Sequence, residues 1–133
     1  AAPVSIQAST YYDFTKAGIY PCYGGANQAQ AEVEPGIFAM YVGDILQDRN
    51  LRYSGPSNDR APIFQRIGLI TGSSVITGTA TGYYREDLNL DGVVKYSGPS
   101  NDPSQIISAI IKATGSNVVT TIYITPTPAA TQQ

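Results

Sequence analysis

Two stretches of the chain switch from helical to extended periodicity in the same order. Ile63, Phe64, Ile67 and Ile70 recur at helical spacing, and so do Ile106, Ile107, Ile110 and Ile111. Pro62 and Pro103 stand in the expected first turns, where a missing N–H costs nothing, with Asp, Asn or Ser nearby to cap. Gly72 and Gly115 sit where a left-handed residue ends a helix. β-Branched runs follow, Val75-Ile76-Thr77 and then Val118-Val119-Thr120-Thr121-Ile122-Tyr123-Ile124, which predict strands. The leader reads as β as well. Val4, Ile6, Ala8 and Thr10 alternate with polar or small neighbours, and the run Gly36 to Val42 predicts a buried strand. Between them, Tyr20-Pro21-Cys22-Tyr23-Gly24-Gly25 is turn-rich. The expected fold class is α+β: a small β-layer, built from N-terminal strands and the strands after each helix, with two loop–helix repeats.

The repetition is in the sequence itself. Tyr53-Ser54-Gly55-Pro56-Ser57-Asn58-Asp59 returns unchanged as Tyr96 to Asp102, an offset of 43. The same offset carries Asp44 to Asp87, Asp48 to Asp91, Ile63 to Ile106, Ile67 to Ile110 and Thr71-Gly72-Ser73 to Thr114-Gly115-Ser116. The chain therefore divides into a leader packed on the repeats (1–41), repeat one (42–84), repeat two (85–127) and a Pro/Thr tail (128–133).

Composition narrows the function. There is no His, one Cys and one Met, so His-containing triads, thiolate zinc clusters and a disulfide framework are excluded. Only 14 % of residues are charged and the net charge is −2, with no basic block to meet nucleic acid. No apolar run approaches the roughly 18 residues that cross a bilayer. The expectation is a non-enzyme. The acids belong to the loops, and Cys22 has no neighbour that would lower its pKa. Tyr11-Tyr12, Tyr20, Tyr23 and Tyr83-Tyr84 are read as packing residues before a sugar- or protein-binding surface.

The second loop carries the candidate chemistry. Asp87, Asn89 and Asp91 place oxygen side chains at positions 1, 3 and 5, and Gly92 at position 6 allows the sharp turn. The Val93 carbonyl is the next ligand, Val94 anchors the loop in the core, and Asp102 is the acid available to close the shell. Position 12, where a bidentate Glu belongs in an EF-hand, is Gly98. Calcium is thus the expected cofactor, and an Asx-type turn is the plain alternative. Loop one keeps Asp44, Asp48 and Asp59 but has Leu46 at position 3 and Arg49 in place of the glycine. Its expected state is cation-free or weakly binding, with the Arg49 charge either standing in for a metal or pointing to solvent.

Gly43-Asp44, the Tyr53 to Arg60 string and Tyr83 to Tyr96 together resemble a dockerin-like module of secreted and surface adhesin- or haemagglutinin-like proteins of Bacteroidetes-type bacteria. Glu32 to Tyr41 is similar to the strand that precedes the first loop in that family, and the resemblance spans roughly 30–127. It implies two calcium loops, each followed by a helix, and an extracellular, non-catalytic role in attachment. Two functions follow as expectations. One is a calcium-stabilised subunit, secreted or on the cell surface, that assembles with copies of itself into a fibre. The other is an anchoring module that docks a surface receptor or glycan. The segment Val118 to Thr125, uncharged and rich in β-formers, either pairs within its own domain or is donated to a neighbour, as is Val4–Thr10. Ala1-Ala2-Pro3 resembles the terminus left by signal-peptide removal. The Thr-Pro tail has the pattern of an O-glycosylated stalk or spacer, and no Asn-x-Ser/Thr sequon is present.

Overall fold

The computed structural model describes residues 30–124. The leader strand Val4–Thr10, the turn-rich stretch with Cys22, Tyr11-Tyr12 and the Thr-Pro tail lie outside the described residues. Val42–Ile124 forms one compact unit that holds both repeats. Outside it, β1 (Gln30–Glu34) and β2 (Ile37–Met40) form an antiparallel hairpin whose turn uses Gly36 at φ +77°. The expected strand after Gly36 is therefore there, but it is not buried: Ile37, Met40 and Val42 are exposed.

Within the compact unit the order is β3 (Asn50–Arg52), α1 (Arg60–Thr71), β4 (Thr79–Thr81), β5 (Val93–Lys95), α2 (Pro103–Thr114) and β6 (Ile122–Ile124). The α+β class holds, but there is no single β-layer among the described residues. β3 pairs only with β6 and β4 only with β5, each as an antiparallel two-stranded ladder. The two ladders obey the sequence repeat. Leu51 pairs with Tyr123 in one and Val94 with Ala80 in the other, which are the same positions 43 apart. The strand after each helix thus pairs with the loop strand of the other repeat, so the repeats are interlocked rather than stacked side by side.

Strand placement differs from the propensity reading for a physical reason. Val75 to Gly78 closes a turn (Gly78 N–H to Val75 O, 2.8 Å), and Val118 to Thr121 closes its equivalent (2.9 Å). The Ser97 hydroxyl donates to the Ile76 carbonyl at 2.8 Å, and the Ser54 hydroxyl donates to the Val119 carbonyl at 2.7 Å. Each bond crosses from one repeat to the other, so the β-branched residues become exposed turns and the strands begin later. The strands are placed by tertiary pairing.

Helix packing follows the periodicity. Ile63 and Ile67 of α1 and Ile106 and Ile110 of α2 are fully buried with Leu51 and Val94. Each contributes roughly 1.5–3 kcal/mol by leaving water. Ile70 and Ile111, expected on the same faces, are exposed, because each helix covers its ladder with little more than one stripe. The caps fall to Asn58 and Asn101. Their side-chain oxygens accept the N–H of Ala61 (3.1 Å) and Ser104 (3.0 Å), while their amide nitrogens hold the carbonyls of Gly55 and Gly98 at 2.7 Å. Gly72 and Gly115 end the helices at φ +69° and +70°.

Candidate metal centre

Both loops are organised by carboxylates that accept backbone amides, on one pattern. In loop two the Asp87 oxygens accept the N–H of Asp91 (3.2 Å) and Gly92 (3.0 Å), and Asp91 accepts the N–H of Val93 at 2.9 Å. In loop one Asp44 accepts the N–H of Asp48 (3.1 Å) and Arg49 (2.9 Å), and Asp48 accepts that of Asn50 at 2.8 Å. The backbone repeats as well. Gln47 and Leu90 share φ +59°, and Arg49 at +67° occupies the left-handed position that Gly92 holds at +82°. Loop one keeps the conformation although its residue at the tight turn carries a Cβ, which costs roughly 1–2 kcal/mol there.

Asp59 and Asp102 prove to be staples. Asp102 is buried, and its oxygens accept the N–H of Leu88 (2.7 Å), Asn89 (3.4 Å) and Lys95 (2.7 Å). Asp59 accepts the N–H of Ile45 (2.9 Å), Leu46 (3.2 Å) and Arg52 (2.9 Å), which are the equivalent three. Each carboxylate, on the residue directly before a helix, thereby ties the start of its loop and the following strand to that helix. Burial pushes both carboxyls above the ordinary range, and the charge of Asp87 or Asp44 adds to it, while the amide hydrogen bonds pull the other way. A cation beside Asp102 would meet a carboxylate already turned to three amides, with only its remaining lone pairs free to coordinate.

The other expected ligands lie within loop two itself. Gly82 donates to the Gly92 carbonyl at 2.8 Å, so ladder alternation makes Ala80 and Val94 the next hydrogen-bonded pair. Val93 between them then turns its N–H and its carbonyl away from β4, toward the loop, as its bond to Asp91 requires. Asn89 lies against Asp91, Nδ2 to Oδ2 at 3.0 Å, and also donates to the Ser100 carbonyl at 3.0 Å. Its Oδ1 accepts the N–H of Asp91 at 3.0 Å, the bond of the Asx-type turn. Among the described residues, no three His, Cys, Asp or Glu side chains come together closely enough to hold a metal by themselves. The donor set of loop two is two carboxylates, one amide and backbone oxygen. It is all oxygen with no sulfur or imidazole, which fits a hard cation such as calcium. In loop one Leu46 stands where Asn89 supplies its amide, so that donor is missing.

One charged residue at the site escaped the sequence reading. Glu86, directly before Asp87, is 2 % exposed and makes two contacts with Arg66 of α1, Nε to Oε2 at 3.0 Å and Nη2 to Oε1 at 3.3 Å. Arg85 adds a third at 3.1 Å. Burial alone would raise the Glu86 pKa, but the hydrogen bonds from Arg66 and Arg85 outweigh it and hold the carboxyl below its usual value. Its signal in the sequence was a break in the repeat, since the equivalent of Glu86 is Gly43 and that of Arg66 is Ala109. No helix among the described residues is long and apolar enough to cross a membrane. Compared with protein-family models, with characterised proteins and with solved structures, the chain has no match.

Proposed function

We propose that this chain is a non-catalytic, extracellular structural module that is stabilised by one calcium ion in loop two and assembles with copies of itself. The observation that supports the calcium half is the order of donors along loop two: Asp87, Asn89 and Asp91 carry oxygens at positions 1, 3 and 5, and the Val93 N–H and carbonyl turn away from β4 toward Asp91. Supporting it is the thinness of the rest. Two ladders of three residue pairs each and a core of a few isoleucines bury little, and small units of this kind gain from a metal staple. Calcium there would hold the loop in the conformation that presents Val94 to the core. The resemblance to dockerin-like modules agrees with this reading.

The assembly half rests on the surface. Leu69 and Ile70, Val75 and Ile76, Val118 and Val119, and Ile122 and Ile124 are all exposed. They come in neighbouring pairs along the chain, and contiguous exposed apolar surface is what marks an association site. Because Ile122–Ile124 already pairs with β3 in its own chain, assembly would use these exposed positions rather than donation of that strand. The same surface also suits a separate receptor or glycan, which is the anchoring alternative. Electron microscopy of the purified chain with calcium separates the two. Polymers that fall apart in chelator support assembly, and discrete monomers at high concentration refute it in favour of docking.

A further inference from the structure

Glu86 is the one carboxylate next to loop two that has no counterpart in loop one. It is buried, it precedes the first ligand directly, and its partner Arg66 lies on α1, in the other repeat. The Arg66 guanidinium also covers the Tyr84 ring at 4.8 Å, and the Tyr84 carbonyl accepts the N–H of Asp87 at 3.0 Å. Arg66 therefore touches both Glu86 and the residue whose carbonyl holds the Asp87 backbone. At the matching place before loop one, Gly43 packs directly against α2. A Cβ on it would lie 3.1 Å from Leu51 Cδ1 and 3.2 Å from Ile106 Cγ1. The two repeats thus fasten their loops differently: loop one by close backbone packing, loop two by an ion pair.

We infer that Glu86 is a positioning residue for the loop-two cation, holding Asp87 in register through Arg66, so that cation binding in repeat two and attachment of α1 in repeat one are energetically coupled. This rests on the calcium reading of loop two. Outer groups that fix a ligand without touching the metal change affinity because the ligand then needs no reorganisation on binding. The coupling is reciprocal by linkage, so calcium tightens α1 by the factor by which the ion pair tightens calcium. The asymmetry matters as well. The loop with Asn89 at position 3 and Gly92 at position 6 has the charged fastening, and the loop with Leu46 and Arg49 there has the apolar one.

The test is calcium titration by calorimetry on the full chain, as wild type, Glu86→Gln, Arg66→Gln and the double variant, with melting in chelator alongside. The expected result is a calcium affinity weakened about 10- to 100-fold in each single variant. The double variant should be no weaker than either, as befits two residues acting as one unit. Calcium should also slow hydrogen exchange of the α1 amides in wild type but not in Arg66→Gln. Variants that melt lower in chelator yet bind calcium like wild type would show a purely structural ion pair and overturn the inference. A wild type that takes up no calcium would overturn the loop-two reading itself, a separate result. If Glu86→Gln does not fold, Arg66→Gln, whose side chain is partly exposed and lies off the loop, decides the question alone.

Discussion

Replacing Asp59 by Asn exchanges one oxygen for an NH2 group and changes little volume, yet it should be among the most damaging substitutions in the module. Asp59 is fully buried and takes three backbone amides, Ile45 and Leu46 on Oδ1 and Arg52 on Oδ2. An Asn side chain can keep the first two through its oxygen, but its NH2 must then face the Arg52 N–H, donor against donor. A charge-assisted hydrogen bond is worth about 1.5–3 kcal/mol, and the orphaned buried donors add about 1–3 kcal/mol. Removing the carboxylate also relieves the burial of a charge, the dominant cause of its raised pKa, so the net loss should be about 2–4 kcal/mol. For a unit of this size that corresponds to roughly 10–25 °C in melting temperature. Thermal and urea melts followed by circular dichroism, in chelator, measure it. The pH dependence supplies a second reading. Because the folded pKa of Asp59 is raised, the native state holds this proton more tightly, so stability from this group increases as pH falls from above the folded value toward about 4, the unfolded value. Asp59→Asn should remove that component. A variant melting within 2–3 °C of wild type, on the scale of about 4–8 °C per kcal/mol, would refute the staple.

Four other outcomes are expected. Gly43→Ala places a Cβ against Leu51 and Ile106 at φ +120° and should cost about 1–3 kcal/mol, read as a lower urea midpoint with an unchanged slope. Asn58→Ala and Asn101→Ala should each cost about 1–2 kcal/mol through the lost helix cap, and thermal melts should show similar losses for the two. Glu86 titrates in the opposite sense to Asp59. Its lowered pKa means that its contribution is complete above about 4.3 and disappears as pH falls through the folded value, so acid melts of Glu86→Gln should lose that limb. Leu46→Asn with Arg49→Gly restores the missing amide and the turn glycine of loop one, and calorimetry should gain a second calcium event; none appearing would mean that the loop frame alone does not make a site.

Much of this architecture was legible in the sequence, and the limits of the reading are instructive. The offset of 43 identified both loops, both helices and both left-handed glycines, because each depends on residues within one or two turns of chain. β6 lies within the expected run Val118–Ile124, but Val75-Ile76 and Val118-Val119 have strand propensity and sit in turns fixed by serines of the opposite repeat. Interlocking is non-local, and propensity carries no record of it. Spacing makes Asp102 a candidate ligand but does not reveal its part as a staple. Its amide partners, Leu88, Asn89 and Lys95, are backbone groups, and backbone groups leave no trace in residue identity. Glu86 has Gly43 at the equivalent position, so the offset of 43 does not mark it.

Calcium calorimetry on the intact chain, paired with Asp91→Ala, tests the account most directly. Asp91 contributes a carboxylate at position 5 and accepts the Val93 N–H, so it stands on the side of the loop toward which the Val93 carbonyl turns. Wild type should show one binding event and melt higher in calcium than in chelator, by the amount that free ion over Kd dictates. Asp91→Ala should abolish both the heat and the shift while still folding in chelator. Equal melting of wild type in calcium and chelator, with no heat of binding, would contradict the calcium module at its root.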